Sequence, residues 1–252
     1  MAAWLSARWA RPCLLCGDWD RQGLCAACLL RFVPTETGHC PRCALPGVDG
    51  KVCGNCLRDP PPFSRGVALA GYGFPWDRLI ARLKFQDQPE LATLLAGLLS
   101  QAITHDATRD ATQDATQDGT QANRRAGLPR VDTVLPVPLS PDRLAARGYN
   151  QAWELARRVA ALQGLRCDAG LLLRLRDTPH QVGLNRDQRA RNLRDAMWVA
   201  PAAAARISGR HLALVDDVLT TGVTAAAATR ALLAAGAASV QVWVVARTPR
   251  LR

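Results

Sequence analysis

The cysteines are grouped in a way that predicts metal binding. Eight of the nine cysteines form four C-x-x-C pairs near the N-terminus, with eight, eleven and nine residues between successive pairs. Each pair forms a tight knuckle that offers two thiolates to one ion, and two knuckles complete a tetrahedral zinc site. The predicted zinc ligands are Cys13, Cys16, Cys25, Cys28, Cys40, Cys43, Cys53 and Cys56.

Two other uses of these cysteines fit the sequence less well. A disulfide framework needs an oxidising compartment, to which nothing in the chain points. A thioredoxin-like redox role needs one such pair beside a β-α-β unit. We therefore expect two structural zinc ions, because all-thiolate sites leave no open position for a reacting water. Sequence alone allows the pairs to combine in chain order or interleaved, and the ninth cysteine, Cys167, is expected to be a buried thiol.

A second group of polar residues lies near the C-terminus, in the stretch HLALVDDVLTTGVT (residues 211–224). An apolar strand leads to Asp216 and Asp217, and a short loop with threonines and Gly222 leads to a helix. Backbone amides of such a loop and helix start bind anions, and glycine permits close approach. Two carboxylates repel phosphate but suit sugar hydroxyls or Mg²⁺. The pattern therefore predicts a sugar-phosphate site.

The elements that must position these residues alternate along the chain. We predict strands at residues 67–72, 131–139, 171–175, 211–215 and 240–246. Helices are predicted at residues 76–85, 89–103, 150–162 and 224–235, with an arginine-rich loop and helix at 176–194. This alternation favours an α/β fold, with a mostly parallel sheet and helices on both faces. Ligands of such sheets bind outside the carboxyl ends of the strands.

Composition divides the chain into two predicted domains. A small cysteine-rich module occupies residues 1–60, and the α/β domain occupies residues 61–252, after a run of three prolines. An Asp-Ala-Thr repeat within residues 105–126 lacks apolar periodicity, so we expect a solvated loop insert there.

Charge and hydropathy limit the choice of partners and location. The net charge is +11, and residues 143–252 contain 17 arginines but only seven acidic residues. This excess suits phosphorylated ligands or nucleic acid. No secretory apolar region and no run of about 20 apolar residues is present, so we expect a cytoplasmic protein without membrane insertion.

The stretch at residues 211–224 resembles the phosphoribosyl-pyrophosphate (PRPP) motif of type I phosphoribosyltransferases. That resemblance implies that Asp216 and Asp217 hold the ribose hydroxyls. It assigns the 5′-phosphate to Val218, Leu219, Thr220, Thr221, Gly222 and Thr224.

A wider resemblance covers nearly the whole chain. Four C-x-x-C pairs before such a domain are similar to the ComF family, which is associated with DNA uptake in natural competence. PVPLSPDRLAARGYNQAWELA (residues 136–156), RLRDTPHQVGLNRDQRARNLRDAM (174–197) and VDDVLTTGVT also match. The resemblance implies a double zinc ribbon before a type I phosphoribosyltransferase-like domain. It also implies single-stranded DNA and competence helicase-like proteins as partners.

The resemblance assigns further roles to basic loops. The candidates for the pyrophosphate loop and the mobile loop are Arg143, Arg147, Arg174, Arg176 and Gln181. Arginine suits the paired oxygens of a leaving pyrophosphate. Arg176 joins Asp216 and Asp217 as a catalytic candidate.

Two functional hypotheses follow. In the first, the protein is a glycosyltransferase that moves phosphoribose from PRPP, bound with Mg²⁺, to a nitrogen acceptor in DNA uptake or nucleotide metabolism. In the second, it is a non-catalytic, PRPP-responsive zinc-ribbon module that binds single-stranded DNA. The intact Asp-Asp and Thr-Thr-Gly pattern favours a real ligand in both cases.

Overall fold

The computed structural model describes residues 10–21, 23–34, 38–85, 88, 91–116, 130–175 and 197–249, with side chains of the helix at 91–116 described as far as Arg109. The chain divides into two compact units, Met1–Thr37 and Gly38–Arg252. Residues 13–28 of the first unit are called here the first knuckle pair. Residues 40–56 of the second unit are called the second knuckle pair.

The first unit is built around its cysteine knuckles. Strand β1 (Arg11–Pro12) pairs antiparallel with β2 (Trp19–Asp20), and helix α1 (Ala26–Phe32) follows. The amide of Gly17 donates to the Cys13 carbonyl oxygen at 3.0 Å, which closes the first turn, and Gly17 has φ +85°. Glycine adopts this conformation without steric cost.

The second unit contains a five-stranded sheet. Its strands are β3 (Arg65–Gly71), β4 (Thr133–Pro136), β5 (Arg166–Cys167), β8 (His211–Leu219) and β9 (Ser239–Arg247). They lie in the order β3-β9-β8-β4-β5, and every neighbouring pair is parallel. Strands β6 (Leu173–Arg174) and β7 (Met197–Trp198) form a separate antiparallel pair. The α/β class predicted from the alternating pattern is confirmed.

Helices cover both faces of this sheet. The described helices of the second unit are α2 (Gly54–Arg58), α3 (Trp76–Phe85), α4 (Leu91–Thr116), α5 (Pro141–Arg147), α6 (Gln151–Gln163), α7 (Pro201–Ile207) and α8 (Val223–Ala234). Leu212 and Leu214 of β8 share a buried core with Ala228 and Leu232 of α8. The intervening residues of β8 alternate to the opposite face, where α4 and α6 pack.

The polar repeat is partly helical, which corrects the prediction of a loop insert at residues 105–126. Helix α4 continues to Thr116. Alanine is a strong helix former, and threonine hydroxyls can bond to the preceding turn. The Thr104 and Thr108 hydroxyls donate to the carbonyl oxygens of Ser100 and Thr104. Arg65 of β3 pairs with Asp106 at 2.5 Å, which ties the polar segment to the sheet. Residues 117–126 lie outside the described part of the chain.

Within the predicted α/β domain (residues 61–252), helices α5 and α7 were absent from the sequence prediction. Helix α5 follows Ser140 with a proline at its first turn and ends at left-handed Gly148. Helix α7 also begins with a proline. Proline is favoured at the first helical position because its missing N–H has no intrahelical acceptor there. Among the described helices, none is both long enough and apolar enough to cross a membrane.

The second knuckle pair packs against β3, at one edge of the sheet. The amide of Gly66 in β3 donates to the Pro41 carbonyl oxygen at 3.2 Å. A Cβ atom at Gly66 would lie 3.1 Å from backbone atoms of Cys43 and Ala44. All four cysteines of this pair share the buried core that contains Phe63. The knuckle backbone and the edge strand are therefore in direct contact.

Substitution of Gly66 by alanine tests this contact. The new methyl group must displace backbone rather than a flexible side chain, so we expect the free energy of unfolding to fall by about 1–3 kcal/mol. Gly97→Ala is the matched control, because no atom lies within 4 Å of its added Cβ and it sits inside helix α4. That control should gain about 0.5–1 kcal/mol. Thermal unfolding of both variants measures the difference, and a Gly66→Ala protein as stable as wild type would contradict the close packing.

Candidate functional site

The cysteines form two four-thiol clusters that pair in chain order. Their ligand atoms lie within 4.8 Å of one another in the groups Cys13, Cys16, Cys25, Cys28 and Cys40, Cys43, Cys53, Cys56. The Sγ atoms of Cys16 and Cys25 are 3.5 Å apart, and those of Cys43 and Cys53 are 3.7 Å apart. A tetrahedron with Zn–S bonds of about 2.3 Å has edges of about 3.8 Å. The clusters fit zinc, and this arrangement resolves the pairing that the sequence left open.

Backbone amides stabilise thiolates in both clusters. The Cys25 amide donates to Cys13 Sγ at 3.4 Å, and the Cys53 amide donates to Cys40 Sγ at 3.3 Å. Burial alone would raise the pKa of Cys13, but hydrogen bonds from backbone amides, including that of Cys25, lower this pKa to about 6. Since metal ligation requires the thiolate, these contacts prepare the sites for a cation. Zinc here would be structural, because four thiolates complete its coordination.

Cys167 is separate from both clusters. It is half-buried in β5 rather than fully buried as expected. Burial and the neighbouring charge of Asp168 raise the pKa of its thiol to about 11. A neutral thiol of this kind is unreactive.

Strand β8 carries the two aspartates. The apolar run was expected to end at Val215, but the strand continues to Leu219, so both acids are strand residues. The extension follows from pairing with β9, in which Asp216 lies opposite Val244. The two aspartates are consecutive, and the negative charge of Asp217 acts on the Asp216 carboxyl, so the two groups lie close to each other. Asp216 is half-buried, and Asp217 is 3% exposed.

Lys84 provides the positive charge beside Asp217. Its Nζ atom lies 2.8 Å from Asp217 Oδ2. The two groups form an ion pair, but their geometry is not that of a hydrogen bond. Lys84 ends helix α3, and the hydroxyl of Tyr149 donates to the carbonyl oxygen of the preceding Leu83. From the sequence, Lys84 could reach a phosphate or complement the helix dipole, but its pairing with Asp217 was not predicted. The available signal was its rarity, since the chain has only two lysines.

The pKa of Asp216 is raised from its usual range to about 8. Burial is the main cause, and the negative charge of Asp217 adds to it. The Asp217 amide donates to Asp216 Oδ1 at 2.8 Å, which opposes the shift without cancelling it. Perturbed carboxyl groups of this kind are typical of ligand sites.

The threonine loop (residues 220–222) connects β8 to α8. Thr220 and Thr221 are exposed, and Gly222 adopts a left-handed conformation with φ +80° and ψ +1°. Gly222 is the N-cap of the 12-residue helix α8, and Thr224 is half-buried in its first turn. The first amides of a helix have no intrahelical acceptors, so they are available to an anion. The structure therefore brings the predicted residues at 216–224 together at the carboxyl end of β8.

Arg247 also contacts this loop, although the sequence prediction missed it. It is 2% exposed and ends β9. Its Nη1 atom donates to the Leu219 carbonyl oxygen at 2.7 Å and also to the Thr220 carbonyl oxygen. Its Nε atom donates to the Cys43 carbonyl oxygen at 2.9 Å. A single arginine after an apolar strand gives no signal of these contacts, which depend on tertiary packing.

The arginine candidates occupy different places. Arg143 and Arg147 lie on α5, where both are half-buried. Arg147 donates to Gln151 Oε1 at 2.6 Å, and its guanidinium lies 5.2 Å from the ring centroid of Phe85, the neighbour of Lys84. Arg147 is thus close to α3.

The other candidates are not brought together in the same way. Arg174 is buried in the β6-β7 pair. Arg176 and Gln181 lie outside the described residues. Ser140, which precedes α5, is fully buried, and its hydroxyl has no hydrogen-bond partner in the described part of the protein.

Known proteins match this chain both in its cysteine-rich segment and over nearly its whole length. Residues 4–57 match the double zinc ribbon domain family. The DNA utilization protein YhgH of Escherichia coli O6:H1 is 36% identical over 243 residues, which cover 94% of this chain and 96% of that protein. Competence protein F of Haemophilus influenzae is 32% identical over 232 residues, which cover 90% and 91% of the two chains. The chain belongs to the ComF family.

One further relative and two solved structures also match this chain. The YhgH of Salmonella typhi is 37% identical over 227 residues, and the match covers 90% of this ComF chain and 91% of that protein. Among solved structures, the glutamine PRPP amidotransferase of B. subtilis, complexed with ADP and GMP, matches with a TM-score of 0.37 at 16% identity. That match covers 65% of this chain and 30% of the other. The HGPRT-ase of Leishmania tarentolae, in complex with GMP, matches with a TM-score of 0.29 at 18% identity, over 62% and 66% of the two chains.

Asp216→Asn is expected to stabilise the ligand-free ComF protein, and the gain should increase with pH. The unfolded chain loses this proton near pH 4, whereas the folded protein retains it to about pH 8. Wild-type stability therefore falls across this window relative to the variant. One pKa unit corresponds to about 1.4 kcal/mol, which is about 3–5 °C in Tm for a domain of this size.

Thermal unfolding at pH 5 and pH 8 checks this expectation. The difference in Tm between Asp216→Asn and wild type should grow by at least about 3 °C over that range. Asp142→Asn, which replaces an exposed carboxylate on α5, is the matched control. A difference that stays constant with pH would mean that burial does not perturb Asp216.

Proposed function

We propose that this protein binds PRPP at the carboxyl end of β8. The observation that supports this most strongly is the pair of carboxylates of Asp216 and Asp217 near the end of β8, two residues before the threonine loop that leads into α8. Carboxylates accept hydrogen bonds from sugar hydroxyls, and loop amides at a helix start donate to phosphate. A ligand that satisfies both groups has a ribose and a phosphate.

The proposed binding mode assigns a role to each part. Asp216 and Asp217 accept hydrogen bonds from the 2′- and 3′-hydroxyls of the ribose. The exposed hydroxyls of Thr220 and Thr221 donate to the 5′-phosphate, together with amides of the first turn of α8. Gly222 allows the phosphate to approach the backbone, because no side chain stands in the way. Mg²⁺ would arrive with PRPP as part of the substrate and neutralise pyrophosphate charge.

The reaction that we propose is transfer of phosphoribose to a nitrogen acceptor. The nitrogen lone pair forms a bond to the anomeric carbon, and the bond from that carbon to pyrophosphate oxygen breaks. Pyrophosphate leaves with the electron pair. Fixed positive charges stabilise such a leaving group. The side chains proposed to contact pyrophosphate are the cations Arg143, Arg147, Arg174 and Arg176, together with the amide of Gln181.

We also propose that the protein acts in the use of DNA. The relatives named DNA utilization protein and competence protein support this role, as does the excess of 17 arginines over seven acids in residues 143–252. Phosphate contacts by arginine give binding to nucleic acid without sequence preference. The second candidate function is therefore non-catalytic: PRPP binding that modulates binding of single-stranded DNA.

Calorimetric titration with PRPP and Mg²⁺ tests the sugar-phosphate site. The wild-type protein should bind, and Asp216→Asn combined with Asp217→Asn should weaken binding by at least about 100-fold. Each lost hydrogen bond to a charged group is worth about 1.5–3 kcal/mol, and 1.4 kcal/mol corresponds to a factor of ten.

Asp132→Asn is the control for charge removal at the opposite end of the sheet, where Asp132 accepts from the amide of His211 at the start of β8, and circular dichroism and zinc content check that the fold is intact. An unchanged dissociation constant in the double variant would show that PRPP binds elsewhere. Absence of binding by zinc-loaded wild-type protein would refute the proposed function.

Fluorescence anisotropy of a labelled oligothymidylate tests the role with DNA. We expect binding that weakens as the salt concentration rises, because arginine–phosphate contacts release counterions. A parallel assay measures pyrophosphate release from PRPP in the presence of nitrogen bases.

The two assays separate the candidates. Pyrophosphate release that Asp216→Asn and Asp217→Asn abolish supports the transferase. A change in DNA affinity with PRPP, without pyrophosphate release, supports the non-catalytic function. An oligonucleotide affinity that does not depend on salt would contradict binding through arginines.

A further inference from the structure

Arg247 connects the second knuckle pair to the threonine loop. One edge of its guanidinium donates to the carbonyl oxygen of Cys43, a predicted zinc ligand. Nη1 donates to the carbonyl oxygens of Leu219 at 2.7 Å, Thr220, and Thr248 at 3.0 Å. These contacts all lie within the second compact unit.

The carbonyl contacts have a consequence for the direction of the loop amides. In a trans peptide, the C=O and the following N–H point in opposite directions. Because the Leu219 and Thr220 carbonyl groups point to Arg247, the amides of Thr220 and Thr221 point away from it. A cation on the carbonyl side also favours an anion on the amide side, since peptide dipoles align with it.

The Cys43 backbone, to which Arg247 donates, is also held in place. Cys43 belongs to a cluster of four buried cysteines, and its backbone lies against Gly66 of the edge strand. A cavity of about 310 Å³ separates the remainder of the knuckle pair from the loop, and Asn55, Phe63, Thr221 and Arg247 are among the residues that line it. Across this cavity, Arg247 provides direct hydrogen bonds to both sides.

We propose that Arg247 is a positioning residue that orients the threonine loop for phosphate binding and couples the loop to the second knuckle pair. The phosphate-binding consequence rests on the proposed function, whereas the effect on the loop does not. Loss of the second zinc site would loosen the Cys43 carbonyl and thereby the loop. The first knuckle pair, which belongs to the other compact unit, would have no such effect.

Arginine is required at this position because of its shape. Its planar guanidinium presents donors on two edges, so one side chain can bond to Cys43 and to the loop at once. Lysine has a single ammonium group and would satisfy one of the two sides. Removal of all donors would take a partner from the carbonyl oxygens of Cys43 and Thr220, whereas the Leu219 carbonyl oxygen keeps the amide of Thr248.

The first experiment compares Arg247→Met, Arg247→Lys and the control Arg210→Met, which replaces an exposed arginine at the opposite end of β8. Amide hydrogen exchange of residues 219–224 is measured in ligand-free protein, and PRPP affinity is measured by titration. Arg247→Met should accelerate exchange of this segment and weaken PRPP binding by at least tenfold each. Arg247→Lys should give intermediate values, and the control should match wild type.

The second experiment compares one cysteine from each cluster. Cys56→Ser and Cys28→Ser should each reduce zinc from two ions to one per chain. Only Cys56→Ser should accelerate exchange at residues 219–224 and weaken PRPP binding, again by at least tenfold. Cys56 is preferred to Cys43 because the described hydrogen bonds of Arg247 go to the Cys43 carbonyl oxygen and the loop and not to the Cys56 backbone, so the substitution leaves those bonding partners in place.

The outcomes separate this inference from the proposed function. Wild-type exchange rates in Arg247→Met, or equal effects of the two cysteine variants on the loop, would overturn the inference even if PRPP binds. If wild-type protein does not bind PRPP, the proposed function fails, and the exchange rates still decide whether Arg247 positions the loop. A uniform increase in exchange across β8 and β9 in Arg247→Lys as well would indicate general unfolding, which also counts against a positioning role.

Discussion

Two neighbouring carboxylates, those of Asp216 and Asp217, lie near the end of the central parallel strand β8. Much of the second unit is arranged to accommodate them. Asp216 and Asp217 are consecutive and lie close together, so the negative charge of Asp217 disfavours ionisation of Asp216. Burial adds to this cost. Helix α3 therefore ends with Lys84 beside Asp217, and Tyr149 holds that helix end through the Leu83 carbonyl oxygen. Asp216 has no comparable counter-charge at hydrogen-bond distance in the described part of the protein, and its pKa rises accordingly.

The two cysteine clusters have similar ligand spacing but different surroundings. The first belongs to a unit of 37 residues, in which apolar burial alone is too small for stable folding, so metal ligation must contribute. The second shares a core with Phe63, Ala68 and strand β9. Its ligands are therefore held by the sheet as well as by each other. Metal ligation is thus the main source of stability for the first cluster, whereas the second cluster extends an existing core.

The sequence predicted those features that local chemistry determines. Four C-x-x-C pairs have few alternatives to zinc, and an apolar strand followed by acids, threonines and Gly222 specifies a strand, loop and helix. It did not predict the extension of β8 through the acids, because pairing with β9 outweighs the low strand propensity of aspartate. The helical start of the Asp-Ala-Thr repeat was missed because the segment lacks amphipathic periodicity. Helix α5 had recognisable signals, since Ser140 and Pro141 begin it and Gly148 ends it.

Lys84 and Arg247 could not be assigned from the sequence for another reason. Each acts on residues that are distant along the chain, and its role depends on how α3 or β9 packs against β8. Local patterns contain no information about such contacts.

The division of the chain after Thr37 has a consequence for how this protein can be shortened or recombined. The Arg247–Cys43 and Gly66–Pro41 hydrogen bonds mean that a cut at the proline run would expose the edge strand and leave buried donors without acceptors. A cut before Gly38 removes the first cluster and preserves every one of these bonds. The smallest fragment that keeps the sheet domain intact therefore begins at Gly38 and includes a metal site of its own. Any chimera or truncated version must retain the second knuckle pair.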